Sequence, residues 1–218
     1  GGVIHNGVQT DQWRPGPGGG GAVWFGRLTR EKAPHLAIEA CRRLGMPLTL
    51  IGRCADPTYF SQRIAAHLGD QVRWLGAMAP EQIMDEVGRA SLALATPQWD
   101  EPFGLVLIEA LSCGTPVAAF SRGGIPEILR TVPEHLARPD DVDDLVRAAR
   151  VEPDRLPDLG ELGGHLDVLR AERGDEDRDA VAHRVVDELQ RLAYTELPLD
   201  AAKLAPFQAR LKAIPAYL

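Results

Sequence analysis

Five short apolar runs recur between residues 22 and 120: Ala22-Val23-Trp24-Phe25, Leu48-Thr49-Leu50-Ile51, Val72-Arg73-Trp74-Leu75, Leu92-Ala93-Leu94-Ala95 and Pro116-Val117-Ala118-Ala119-Phe120. Each has the length of a strand, and apolarity at nearly every position predicts burial on both faces. Between the runs, apolar residues fall at helical spacing: Leu36, Ile38, Ala40, Cys41 and Leu44; Ile64, Ala65 and Leu68; Ile83, Met84 and Val87; Leu105, Ile108, Ala110 and Leu111. Strand and helix alternate, which predicts an α/β fold: a Rossmann-like parallel sheet of right-handed βαβ units with helices on both faces.

Punctuation agrees with this pattern. Pro34, Pro57 and Pro80 stand near the expected helix starts, and Gly45, Gly69 and Gly88 near the expected helix ends. Pro15 to Gly21 is a Gly/Pro linker that precedes the first strand, so it is not the strand-to-helix GxGxxG loop of a dinucleotide site and is expected to be a flexible connection. Beyond Val151 the pattern weakens into charge, Gly and Pro. A helical period resumes over 179–194, and a last short helix is expected over 199–211. The expected organisation is therefore a lead-in segment over 1–21, a Rossmann-like domain over 22–150, and a loop-rich segment with a C-terminal helical tail over 151–218.

Composition narrows the function. The chain has 218 residues, 44% hydrophobic and 25% charged, enough for a sizeable core in one large domain or two small ones. A net charge of −7 argues against a nucleic-acid binder. No apolar stretch approaches the roughly 18 residues of a membrane span, and the N-terminal residues lack signal-peptide character, so a cytoplasmic location is expected. The three cysteines, Cys41, Cys54 and Cys113, are far apart and in apolar contexts, and are expected to be buried free thiols. The six histidines form no metal-ligand pair and are expected at the surface or in caps; no metal is expected.

In an open parallel sheet, ligands bind beyond the carboxyl ends of the strands. The candidates are therefore Gly26-Arg27-Leu28, Gly52-Arg53, Gly76-Ala77-Met78, Thr96 to Gly104 and Ser121 to Gly124. Arg27 and Lys32 lie at the mouth of a helix and suit a phosphate or diphosphate, or are solvated charges. Glu109 falls among apolar neighbours, where a carboxylate must meet donors: an arginine or backbone group, or a pair of ribose hydroxyls. Glu101 sits just before the helix that Phe103-Gly104 opens, so its carboxylate and the first N–H groups can converge on one ligand. A glycosidase pair made of these two glutamates is disfavoured, because their separation across a loop and a helix does not bring the carboxyls to about 5 Å.

Glu101-Pro102-Phe103-Gly104-Leu105-Val106-Leu107-Ile108-Glu109, with Cys113-Gly114-Thr115-Pro116-Val117 and Gly123-Gly124-Ile125-Pro126-Glu127, closely resembles the E-x7-E region of family 4 retaining glycosyltransferases of the GT-B fold. Phe25-Gly26-Arg27-Leu28 with Lys32 is similar to that family's G-R-L-x-x-x-K site, although Ala33 replaces the common glycine after the lysine. Val3-Ile4-His5-Asn6-Gly7-Val8 resembles a V-I-P-N-G-V motif, with His5 for proline, and Trp74-Leu75-Gly76 matches an F-L-G strand end. Arg130 to Asp140 lacks the glycines of the family's D-G-x-T-G-L-L-V-P-P-G-D stretch, so the strand there is expected to be short or absent.

The resemblance implies one half of a GT-B fold and a donor site for a nucleotide-diphosphate sugar, with no other cofactor. Arg27 and Lys32 would neutralise the diphosphate and Glu101 would accept from hydroxyls of the transferred sugar, these three forming the catalytic set. Gly26, the backbone of Phe103, Gly104 and Leu105, and Glu109 on the ribose would bind substrate, with Gly76, Ala77 and Met78 bordering the base. It further implies an acceptor-binding N-terminal domain or a separate chain, without which this chain should be weakly active or inactive. A non-catalytic nucleotide-sugar-binding module, or a truncated transferase fragment, is the alternative.

Overall fold

The computed structural model describes residue 8 and residues 12–151. The helices expected over 179–194 and 199–211, and the Val3 to Gly7 motif, lie outside the described residues. Six strands form one sheet: β1 (Ala22–Phe25), β2 (Leu48–Ile51), β3 (Val72–Trp74), β4 (Leu92–Ala95), β5 (Val117–Phe120) and β6 (Leu136–Ala137). Their order is β3-β2-β1-β4-β5-β6 and every pairing is parallel. Chain direction across the sheet reverses between β1 and β4, which is where α/β sheets leave a crevice for ligands.

The helices are α1 (Pro34–Leu44), α2 (Pro57–Arg63), α3 (Pro80–Arg89), α4 (Leu105–Ser112), α5 (Ile125–Ile128) and α6 (Val142–Ala149). α1, α2 and α6 bury side chains in one core cluster, with α6 packed on α1, and α3 packs on α4, the two-faced arrangement that right-handed crossovers produce. β1, β4 and β5 are buried along their whole length, which is why they read as unbroken apolar runs. Trp24, Leu50 and Phe120 pack with Ile38, Tyr59 and Leu145 on the α1 side. Burial of each such side chain contributes about 1.5–3 kcal/mol. Across the sheet, Trp13 stacks on Phe25 with ring centroids 6.3 Å apart.

Helix starts follow local chemistry. Pro34, Pro57 and Pro80 each open a helix; Asp56 accepts from Tyr59 N in α2 and Asp141 accepts from Asp144 N in α6, both at 2.9 Å. Gly45 ends α1 with φ 68, a left-handed conformation that glycine adopts without strain.

Gly88 lies next to last in α3, near its end as expected, and the backbone of Gly16 passes against it: a Cβ on Gly16 would lie 2.3 Å from Gly88 O. Several expectations change. The expected second helix does not run on to Leu68. It stops at Arg63 and gives way to a single 3-10 turn, Ala65–His67, after which Gly69 N donates to Val72 O. β3 ends at Trp74, and β5 starts at Val117. Pro15 to Gly21, expected to be flexible, is tied down at alternate amides: Gly16 N donates to Cys113 O, Gly18 N to Gly88 O and Gly20 N to Arg89 O. Cys41 and Cys113 are buried but Cys54 is only partly so, and His135 is buried rather than at the surface. The strand in the glycine-poor stretch is short, two residues, as expected.

Candidate donor site

Lys32 and Glu101 are 69 positions apart in sequence, yet Lys32 Nζ lies 2.5 Å from Glu101 Oε2. Lys32 belongs to the loop after β1 and Glu101 to the loop after β4, so the pair spans the point where the strand order reverses. Both side chains are mostly covered, 23% and 16% exposed. Trp99 completes the cluster: its Nε1 donates to Glu101 Oε2 at 3.2 Å and its ring lies 4.9 Å from Lys32 Nζ, a cation–π distance.

The two loops are held from beneath. Thr96 Oγ1 lies 3.2 Å from Lys32 O and 3.0 Å from Ala33 O, and accepts from Trp24 Nε1 at 3.1 Å. Gln98 N donates to Glu31 O at 2.7 Å. On the other flank, Gly124 N donates to Glu101 O at 2.8 Å, and a Cβ on Gly123 would lie 2.1 Å from that same oxygen. Only glycine lets the loop after β5 press against Glu101 so closely. Ala33, at the start of α1, has φ 48 and ψ 49 and is fully buried. This left-handed geometry accounts for the glycine common at that point in the pattern the sequence resembles.

Gly26, Gly52 and Gly76 line the rest of the strand ends. Gly26 N donates to Ile51 O, Gly52 N donates to Gly76 O at 2.7 Å, and Trp74 Nε1 caps Gly52 O at 2.9 Å. Arg27 beside Gly26 is partly exposed, Ala77 is exposed and Met78 partly so. Gly104 has φ 93 and precedes α4; Leu107 N donates to Gly104 O at 2.9 Å, while a helix leaves the N–H groups of its first two residues, here Leu105 and Val106, without an intrahelical partner. Glu109 lies inside α4, only 2% exposed. Its charge, after burial, helps push the Cys113 thiol up to about 11.

The sequence-derived residues thus separate. Gly26 and Lys32 lie in the loop after β1, Glu101 and the buried Gly104 in the loop after β4 with Leu105 opening α4, Gly76 to Met78 lie beyond β3, and Glu109 is buried. Sequence reasoning left Trp99 unassigned, although it stands two residues before Glu101; an aromatic beside a paired Lys and Glu was the available signal. Among the described residues no group of three His, Cys, Asp or Glu side chains could hold a metal ion, and no helix is long and apolar enough to cross a membrane.

Residues 21–150 match the model of the family described as Glycosyl transferases group 1. The chain belongs to that family. Similar curated proteins include the D-inositol 3-phosphate glycosyltransferase of Mycobacteroides abscessus, 35% identical over 144 residues, covering 57% of this chain and 32% of that protein. The alpha-maltose-1-phosphate synthase of Mycobacterium tuberculosis is 31% identical over 150 residues, covering 58% and 39%. This group 1 chain spans about a third of the length of the curated relatives it matches. Among solved structures, AviGT4, a glycosyltransferase involved in avilamycin A biosynthesis, superposes with TM-score 0.66 at 25% identity over 88% of this chain and 58% of its own. Sucrose-phosphate synthase from Thermosynechococcus elongatus gives 0.57 at 28% identity, covering 66% and 41%. The architecture is the Rossmann-like α/β unit of GT-B glycosyltransferases.

Proposed function

We propose that this chain is the donor-binding half of a family 4 retaining glycosyltransferase, which takes a sugar from a nucleotide-diphosphate sugar and works with an acceptor-binding domain. The observation that carries the reading is the Lys32–Glu101 pair across the switch-point crevice. In the ligand-free state each charge neutralises the other. A nucleotide sugar inserted between them offers both a better partner: diphosphate oxygens for Lys32, sugar hydroxyls for Glu101. Arg27, at the same strand end, adds a second cation.

Breaking the glycosyl–phosphate bond develops negative charge on the departing diphosphate. Arg27, Lys32 and the free N–H groups that open α4 stabilise that charge in place, with no metal ion required. Retention follows if the acceptor hydroxyl attacks from the face the diphosphate leaves, the phosphate taking its proton. Gly26, Gly52 and Gly76 let the nucleotide lie against main chain, with Gly76 to Met78 beside the base. Glu109 holds the ribose once the groups covering it move aside. The D-inositol 3-phosphate glycosyltransferase and the maltose-1-phosphate synthase lend support to a sugar transfer whose acceptor or product carries phosphate.

Calorimetry of the 218-residue chain with UDP, GDP, ADP and their glucose or mannose conjugates tests this. One nucleoside diphosphate and its conjugate should bind, and Arg27→Ala should weaken the diphosphate more than the nucleoside. Absence of binding by every member of the set would reject the donor-site reading.

A further inference from the structure

Asp140, in the turn between β6 and α6, is one of two described non-glycine residues with positive φ, at 60°. Aspartate tolerates this conformation better than most residues but pays for it relative to glycine. What the side chain gains is two partners from two different loops. Oδ1 accepts from Gln98 Nε2 at 2.9 Å, and Oδ2 is bonded to Arg122 Nη2.

Each partner leads directly to the crevice. Gln98 N donates to Glu31 O, one residue before Lys32. Arg122 precedes Gly123 and Gly124, which grip the backbone of Glu101. One carboxylate therefore joins the loops after β4 and β5, and through Gln98 the loop after β1, around the pair that defines the site. Global stability is a poor account of it, because Arg122 and Asp140 are 24% and 42% exposed and such pairs contribute about 0–1 kcal/mol.

We propose that Asp140 is a positioning residue that holds Glu101 in register with Lys32, and so sets affinity for the sugar of the donor rather than for its nucleotide. The proposal rests on the donor-site reading above. Asp140→Gly removes the carboxylate while relaxing the left-handed backbone, so the fold is kept and both contacts are lost. Asp140→Asn retains an acceptor for Gln98 and lacks the charge that holds Arg122.

The test has two arms on the full 218-residue chain. In calorimetry, UDP-glucose, or whichever nucleotide sugar the unmodified protein binds, should lose about tenfold in affinity in D140G, roughly 1.4 kcal/mol, with D140N in between. Affinity for the matching nucleoside diphosphate should stay within about twofold. Equal losses for both ligands, or no loss for either, would overturn the proposal. In a crystal structure of ligand-free D140G, the Lys32 Nζ to Glu101 Oε2 separation should open beyond about 4 Å, the limit of an ion pair. An unchanged separation would overturn positioning whether or not any donor binds, whereas a protein that binds no donor, yet whose pair opens in D140G, loses only the donor reading.

Discussion

The loops after β1, β4 and β5 and those after β2 and β3 share one edge of one sheet but are built differently. On the first side, charged and polar side chains are cross-linked: Lys32 to Glu101 and Trp99, Thr96 to two carbonyls, Asp140 to Gln98 and Arg122. On the second side the contacts at the strand ends are mostly main chain, Gly26 N to Ile51 O and Gly52 N to Gly76 O, with the Trp74 ring nitrogen on Gly52 O. The difference separates two kinds of constraint. The cross-linked half depends on which side chains are present, and the glycine half on a side chain being absent.

The largest effect expected follows from that contrast. Gly52 has φ 132 and its added Cβ would lie 1.8 Å from Gly26 O, whereas Gly76, at φ 74, faces open space. Gly52→Ala must displace backbone and should cost about 3 kcal/mol or more, while Gly76→Ala should cost only the left-handed strain of about 1–2 kcal/mol. Urea denaturation midpoints of the two variants measure the gap, and equal midpoints would break the comparison. Next in size, Lys32→Ala on the cross-linked side should leave the fold in place yet weaken nucleoside diphosphate binding by about 1.5–3 kcal/mol, the range for a charged hydrogen bond. Calorimetry with the diphosphate and the bare nucleoside should show the loss for the first ligand only.

How much of this was legible differs between the halves too. β1, β4 and β5 could be read because burial on both faces forces every position to be apolar, and the prolines at 34, 57 and 80 marked helix starts for a purely local reason. Lys32 and Glu101 could be nominated by residue type and motif, but that they touch depends on β1 and β4 being neighbours, a fact of topology. The Asp140 junction was not legible. Its members are polar residues in three loops, Gln98 and Asp140 exposed and Arg122 partly so, and in a sequence they look like solvated surface residues.

The seam between the halves is expected to respond to pH. His35, second residue of α1, places Nδ1 2.5 Å from Tyr59 Oη in α2, and Arg30 lies over the Tyr59 ring. Burial, then the charges of Arg63 and Arg30, push His35 down to about 4, against an opposing pull from Asp140. The folded state therefore resists a proton that the unfolded chain accepts near 6.5. The contribution is present above that value and is lost as pH falls from 6.5 toward 4. Because His35 is only half covered, a loss on the order of 1 kcal/mol is expected after solvent screening. Denaturation midpoints at pH 7 and pH 4.5 should differ more in the unmodified protein than in His35→Gln; the same difference in both would remove His35 as the cause.

The smallest effect tests whether the cross-linked half truly tolerates what the glycine half forbids. Ala33 occupies left-handed space at a cost of about 1–2 kcal/mol. It is held there by Thr96 Oγ1, 3.0 Å from its carbonyl oxygen, by Leu36 N, which donates to that Ala33 oxygen, and by Thr29 O, which accepts from its N–H. Ala33→Gly relieves the strain, but it removes a fully buried methyl worth about 0.8 kcal/mol and adds about 0.4–1 kcal/mol of unfolded-state entropy. These terms cancel to within about 1 kcal/mol, so the denaturation midpoint should barely move. A loss well above about 2 kcal/mol would mean that the methyl's packing, rather than the hydrogen bonds around it, holds the Lys32 loop in place.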